Sequence, residues 1–258
     1  MLVDSHCHLD YFEGVEQEEV IARAREAGVA ELVTIGTRLG EQAAKVRDIA
    51  TRHEGIWGTV GIHPHNAGER PAPSVEELLA EADHPKVIGL GESGLDYFYD
   101  TAPRAAQQEG FRQHIRAAQQ SRLPLVVHAR SADEDIAAIL EEERARGGDF
   151  PFLLHCFSSG AELARRAVAI GGYISFSGIL TFPKSGEIRA VAAEMPEDRM
   201  LVETDSPYLA PVPLRGKRCE PGYVTHTAKV LAEVRGLEMA RVEEITTTNF
   251  RRLFTKAA

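Results

Sequence analysis

The sequence predicts an α/β chain folded as a (β/α)8 TIM barrel, with its working residues at the C-terminal ends of the strands. Three observations lead there. Eight short apolar runs recur along the 258 residues. Helix-type patterns separate them at a spacing of roughly 20–36 residues, which leaves room for a strand and its crossover helix. Several runs, such as Leu125-Val126-Val127, are apolar without alternation, as strands buried on both faces are. An open, doubly wound sheet is the alternative architecture.

Taken in order, the runs are 2–3, 31–36, 56–62, 87–90, 123–127, 152–154, 173–176 and 200–202. A helix is expected over 18–27, stopped by Gly28, and another over 46–53, stopped by Gly55. Ser74-Val75-Glu76-Glu77, Ser131-Ala132-Asp133-Glu134 and Ser159-Gly160-Ala161-Glu162 have the spacing of capping boxes, in which serine and glutamate satisfy the first free N–H groups of a helix. The Gly-, Pro- and Arg-rich stretch 211–222 reads as a long loop after the eighth strand. Trp57 and Phe152 read as core. No linker or low-complexity segment divides the chain, so one domain over 1–258 is expected.

Composition excludes several classes. Hydrophobic residues make up 43% and charged residues 26%, values of a globular chain and not of a disordered or fibrous one. No apolar run approaches the ~18 residues of a membrane span, and the N-terminus lacks the basic-then-apolar order of a signal peptide. The cysteines are Cys7, Cys156 and Cys219, without Cys-x-x-Cys spacing. Neither a disulfide framework nor a thiolate zinc site is expected from them, and a reducing cytoplasm is the natural setting. Lys and Arg number 29 against 39 Asp and Glu, for a net charge of −10 with neutral His. That balance offers no basic stripe to grip a phosphate backbone. A nucleic-acid substrate would need metal ions to supply local positive charge. No obvious exposed apolar stripe calls for a partner, so a monomer is expected.

The strand ends carry the chemistry. The first ends in His6-Cys7-His8, and residues i and i+2 of a strand face the same side, so both imidazoles can meet one ion while Cys7 points away. The fourth ends in Gly91-Glu92-Ser93-Gly94-Leu95-Asp96, where a carboxylate behind an apolar run is costly to bury unless it is paired or binds a metal. The fifth and sixth end in His128 and His155, at matching positions of adjacent strands. The eighth ends in Glu203-Thr204-Asp205-Ser206-Pro207. A lone histidine behind an apolar run is ordinarily a hydrogen-bonded core residue; repeated placement at the same rim is what favours ligands. His6, His8, Glu92, His128, His155 and Asp205 are therefore the candidate metal ligands. They exceed what one tetrahedral ion needs, so two divalent ions bridged by Glu92 are expected. Imidazole with carboxylate suits Zn²⁺, Mn²⁺, Fe²⁺ or Ni²⁺, and the carboxylates also accept Mg²⁺.

Gly89-Leu90-Gly91-Glu92-Ser93-Gly94 matches the G-x-G-x-x-G dinucleotide pattern, but no helix opens at those glycines, so that reading is rejected. Gly61-Ile62-His63-Pro64-His65 closes the third strand; its two histidines are expected to contact a substrate phosphate or to form an outer layer around the metals, with a satisfied loop pair as the alternative. Arg215-Gly216-Lys217-Arg218 is the one dense basic cluster near the site, so Arg215 and Lys217 are expected to contact phosphate unless they form a solvated charge run.

Asp4-Ser5-His6-Cys7-His8-Leu9, the His63-Pro64-His65 and Gly91–Asp96 motifs, Val127-His128-Ala129-Arg130, His155-Cys156-Phe157, Glu203-Thr204-Asp205-Ser206-Pro207-Tyr208-Leu209 and Arg215-Gly216-Lys217-Arg218 together resemble the TatD family of metal-dependent deoxyribonucleases, among the amidohydrolase-like metal hydrolases. The resemblance extends to Asn249-Phe250-Arg251-Arg252-Leu253-Phe254. It implies metal contacts at the six residues above and an additional, third ion joined by Glu203. It also implies exonucleolytic cleavage of DNA phosphodiesters by metal-activated water. From its place at the end of the eighth strand, Asp205 is expected to orient that water and take its proton. The competing activity among such relatives is ester or amide hydrolysis, as in D-aminoacyl-tRNA deacylases. The chain departs from the family at Cys219, where asparagine is frequent, which bears on a loop contact and not on the metal centre.

Overall fold

The structure is a computed structural model and describes residues 1–257. Eight strands, β1 (Leu2–Cys7), β2 (Val29–Thr34), β3 (Ile56–Val60), β4 (Val87–Asp96), β5 (Leu125–Arg130), β6 (Phe152–Leu154), β7 (Tyr173–Phe176) and β8 (Met200–Val202), alternate with helices. The helices are α1 (Val15–Glu26), α2 (Glu41–Arg52), α3 (Val75–Ala82), α4 (Arg104–Ser121), α5 (Asp133–Gly147), α6 (Ala161–Ala169), α7 (Gly186–Glu194) and α8 (Val224–Arg235), followed by α9 (Met239–Leu253). All neighbouring strands are parallel, in the order β1 to β8. The ring closes just beyond the last strand. Asp205 N–H donates to the His6 carbonyl at 2.9 Å, and His8 N–H donates to the Ser206 carbonyl at 2.8 Å. This is the expected (β/α)8 barrel. Among the described residues no helix is long and apolar enough to cross a membrane.

The period of two along each strand sorts its side chains into two cores. One set, including Leu2, Val87, Leu125, Leu154 and Val202, packs outward against the helices. The other, Val3, Val33, Ile88, Val126, Leu153, Tyr173 and Leu201, forms a separate cluster inside the ring. Phe250, Leu253 and Phe254 belong to that inner cluster, so α9 and the residue after it plug the end opposite the site. Emptying one of those buried rings to alanine would cost about 3–5 kcal/mol.

Local sequence explains most element boundaries and corrects several expectations. Ser74 accepts the Glu77 N–H at 3.2 Å and caps α3. The other two boxes do not form. Ser131 follows β5 directly and takes a left-handed φ of 53°, so Ala132, which has no side chain to cap with, stands at the N-cap position before α5. Gly160, not Ser159, precedes α6, and its N–H is satisfied by Asp133 Oδ2 at 2.9 Å. Helix α2 starts at Glu41 and not at residue 46, because its solvated first turn breaks the apolar periodicity. Strand β4 runs on to Asp96 through its glycines. Phe152 is core, whereas Trp57 is only partly buried and donates its ring N–H to Glu31 Oε2 at 2.8 Å.

Two glycines fix the path of β4. A Cβ on Gly91, where φ is 101° and the Gly61 backbone packs close, would collide with the Val126 carbonyl, and one on Gly94, where φ is 145°, with the His128 carbonyl. The G-x-G-x-x-G spacing thus serves close approach of β3, β4 and β5 beside Glu92, a backbone requirement only glycine meets.

Candidate metal centre

Glu92 is the hub. Its side chain is buried in the middle of the ring mouth, and its two oxygens face different histidines. Oε1 lies 2.7 Å from His155 Nε2, 2.8 Å from His128 Nδ1 and 3.2 Å from His63 Nε2. Oε2 lies 3.5 Å from His6 Nε2 and 4.0 Å from His8 Nε2. Asp205 Oδ1 closes that second group, 3.5 Å from His6 Nε2 and 3.4 Å from His8 Nε2. Burial alone would raise the Glu92 carboxyl, but His155, His63 and His128 outweigh it and hold the group well below the usual carboxylate range.

Three sets have ligand atoms close enough to share an ion: His6 with His8 and Asp205, His6 with His155 and Glu203, these two sharing His6, and, separately, His63 with Glu92 and His128. The fit to cations is tested by the atoms left over. His6 is fully buried, yet among the described residues neither ring nitrogen has a hydrogen-bond partner; His8 Nδ1 and Glu203 Oε2 are likewise bare. Orphaned buried polar atoms are costly. Metal ions between them would satisfy the nitrogens and balance the carboxylates together. Cys7 keeps out of the cluster and donates its thiol to the Val33 carbonyl.

All six candidate ligands named from the sequence meet at this mouth, and Glu203 lies beside them, 3.3 Å from His155 Nδ1. His63 goes further than expected, since it enters a ligand-competent set; burial lowers its ring to about 4, so it is neutral. His65 turns to Asp96, its Nε2 2.7 Å from Oδ2. Arg215 and Lys217 are not among the side chains lining the cleft. The loop doubles back at Gly216, with Lys217 N–H bonded to the Leu214 carbonyl, and lays the Arg215 guanidinium 3.7 Å from the Phe182 ring centre. The basic residues that do line the cleft are Arg38 and Arg130. Cys219 is buried and anchors the loop through its N–H to the Pro207 carbonyl at 3.0 Å.

Sequence reasoning missed three supporting residues. Asp96 Oδ2 also meets His128 Nε2 at 3.2 Å, while Oδ1 accepts the Phe98 and Tyr99 N–H groups. Burial opposes its charge, but the His128, Tyr99 and His65 bonds depress its carboxyl below the ordinary range. Asp4 ties β1 to the segment after β8 through Thr204. His114, inside α4, accepts the Ile62 N–H one residue before His63. Asp96 and Asp4 lay inside quoted motifs; a histidine within a helix gave no signal.

A parallel barrel that gathers imidazoles and carboxylates at the C-terminal ends of its strands defines a metal-dependent hydrolase. Comparison with known proteins agrees. Residues 3–255 match the family model described as TatD related DNase. A metal-dependent hydrolase of Escherichia coli K12, YcfH, is 40% identical over 98% of this chain and 95% of its own length. The 3'-5' ssDNA/RNA exonuclease TatD of Cronobacter sakazakii is 36% identical over 94% of this chain and 93% of its own. The crystal structure of YJJV, a TatD homologue from Escherichia coli K12, superposes with a TM-score of 0.89 at 28% identity, covering 98% of both chains. The chain belongs to the TatD-related DNase family of metal-dependent hydrolases.

Proposed function

We propose that this chain is an exonuclease that hydrolyses phosphodiester bonds at the ends of DNA strands, with two divalent ions held at the barrel mouth. The observation that carries the reading is the division of the Glu92 carboxylate between two histidine groups, Oε2 toward His6 and His8, Oε1 toward His63, His128 and His155. His6, His8 and Asp205 with Oε2 would hold one ion, and His128, His155 and His63 with Oε1 the other. Glu203, with His6 and His155, offers a third position. So imidazole-rich a donor set favours Zn²⁺ or Mn²⁺ over Mg²⁺. Ions bound there supply Lewis acidity, which acidifies water and offsets charge developing on the phosphoryl group.

The protein's own groups do the rest. Asp205 stands at the rim with its carboxylate depressed: burial opposes the charge, and His8, His6 and His155 outweigh burial. It orients the attacking water and accepts its proton. His65, held by Asp96, presents its ring to a non-bridging phosphate oxygen. Arg130 carries a neighbouring phosphate inside the cleft, which Arg38 lines while its guanidinium is paired with Glu69; Arg215 and Lys217 are assigned to phosphates beyond it. The relative named as a single-strand exonuclease supports this substrate class. The free Cys7, Cys156 and Cys219 suit a reducing cytoplasm; the enzyme is assigned as a one-domain monomer.

The test is a side-by-side assay on end-labelled DNA and RNA strands and on acyl esters, including a D-aminoacyl ester, with and without chelator. Metal-dependent release of nucleotides, with acyl turnover at least about 100-fold slower, is the expected result. Faster acyl turnover would assign the site to ester hydrolysis instead.

A further inference from the structure

Four aromatic residues are exposed in this protein, and all four gather at the mouth of the same cleft. Tyr11, Phe98, Tyr99 and Tyr208 have 43%, 60%, 55% and 53% of their surface in water, whereas every other Phe, Tyr and Trp among the described residues is buried or partly buried. Large apolar rings in water are informative when they cluster at a site. They stand as two walls. Tyr11 and Tyr208 meet edge-on, with ring centres 6.1 Å apart, on the side of His8, whose ring lies 5.4 Å from Tyr11 and 6.2 Å from Tyr208. Phe98 and Tyr99 meet edge-on at 5.0 Å on the side of His65, whose ring lies 5.3 Å from Tyr99. Tyr11, Tyr99 and Tyr208 line the cleft, whose volume is about 690 Å³. The candidate metal centre lies between the walls.

The second wall carries a cation. The Arg130 guanidinium lies 4.3 Å from the centre of the Phe98 ring and 4.7 Å from that of Tyr99. A planar guanidinium on a ring face keeps its donor edge free for phosphate. The wall is also held rigidly, since Asp96 Oδ1 accepts the N–H groups of both Phe98 and Tyr99 at 3.0 and 2.9 Å. Ring faces exposed beside an arginine and flanking a hydrolytic centre match the chemistry of an unpaired nucleic-acid strand, whose bases stack and whose phosphates need cations.

We propose that Tyr11–Tyr208 and Phe98–Tyr99–Arg130 are two base-stacking subsites that grip the nucleotides on either side of the scissile phosphate and admit only unpaired bases. The inference rests on the phosphodiester reading above. It accounts for strand gripping by a chain of net charge −10, because stacking replaces part of the missing electrostatic attraction. A paired base buries both of its faces in the duplex stack and has none to offer the walls.

The test uses the metal-loaded protein and a fluorescent, phosphorothioate-linked oligodeoxynucleotide that resists hydrolysis. Anisotropy gives its affinity beside that of an abasic strand of the same length and of a blunt duplex. The wild type is expected to prefer the base-bearing single strand. Tyr11→Ala/Tyr208→Ala and Phe98→Ala/Tyr99→Ala should each weaken that strand by roughly 5- to 150-fold per wall and leave the abasic strand unchanged. Tyr11→Phe/Tyr208→Phe keeps the rings and should keep the affinity. Circular dichroism of each variant excludes loss of the fold. Equal affinity of the wild type for base-bearing and abasic strands, or alanine variants that bind both as the wild type does, would overturn the stacking subsites even if natural strands are cleaved. Base-dependent binding with no cleavage of a natural strand would instead overturn the phosphodiester reading and leave the subsites standing.

Discussion

Thr204 grips Asp4 twice: its hydroxyl donates to Oδ2 at 2.6 Å, and its N–H donates to Oδ1 at 2.9 Å. The His6 N–H reaches the same Oδ1 at 3.3 Å. One fully buried carboxylate therefore joins the first strand to the segment after the last, next to the candidate ligands His6 and Asp205. Asp4→Ala leaves the Thr204 donors unpaired inside the barrel and is expected to cost about 2–4 kcal/mol. Asp4→Asn keeps an acceptor and should cost less. Urea unfolding curves decide the matter, and an alanine variant with the wild-type midpoint would remove Asp4 from the seam.

Glu92 makes a prediction about stoichiometry. If its two oxygens serve two ions, Glu92→Gln lowers the bound metal by at least one ion per chain, as read by elemental analysis after dialysis against a fixed free-metal concentration. Hydrolysis should fall by more than about 100-fold, beyond what loss of an outer hydrogen bond to a ligand costs. Retention of full metal content would place the ions elsewhere.

For Asp205 the expected signature is kinetic. Asp205→Asn keeps an oxygen near His6 and His8 but cannot accept a proton. Turnover at saturating metal should drop by roughly 10²–10⁴-fold, with the circular dichroism of the fold retained. Wild-type-like turnover in metal-replete protein would assign the proton to another group.

Asp96 holds His128 from behind. With Asp96→Asn, the side-chain oxygen stays with the Phe98 and Tyr99 N–H groups and an amide nitrogen faces His128 Nε2 and His65 Nε2, two rings that had an acceptor there. Metal affinity, measured by competition with a chromogenic chelator, is expected to weaken by about 10- to 100-fold. An unchanged affinity would confine Asp96 to anchoring the turn.

The barrel was legible because buried parallel strands are written as apolar runs, and the site because His6, Glu92, His128, His155 and Asp205 each end such a run. Other features hid for identifiable reasons. A polar first turn concealed the start of α2, and a strand-to-helix connection too short for a cap defeated the Ser131 box. Helix α9 falls outside the count of eight strand–helix units, so nothing in that repeat announced that Phe250 and Phe254 plug the barrel. The basic cluster at 215–218 drew attention by charge density, yet Arg38 and Arg130, single arginines, are the ones in the cleft. Density along a chain says little about which side chain a loop turns inward.

His114 supplies a pH-dependent prediction whose sign follows from burial. Its ring is fully buried in α4, with Nδ1 2.7 Å from the Gly110 carbonyl and Nε2 accepting the Ile62 N–H at 3.1 Å. That pattern requires the neutral ring, and burial, only partly opposed by the Gly110 bond, lowers it to about 4. An unfolded histidine titrates near 6.5. Above that pH both states are neutral and the full stability is present. As pH falls from about 6.5 toward 4, the unfolded chain takes up a proton the folded one refuses, so stability is lost, by about 3 kcal/mol in all. His114→Gln should therefore flatten the fall in stability across this window, whatever its effect at neutral pH. Urea unfolding at fixed free metal, from pH 7 down to 4, measures the slope; equal slopes for variant and wild type would show that His114 is protonated in the fold and does not hold the backbone before His63 as a neutral ring.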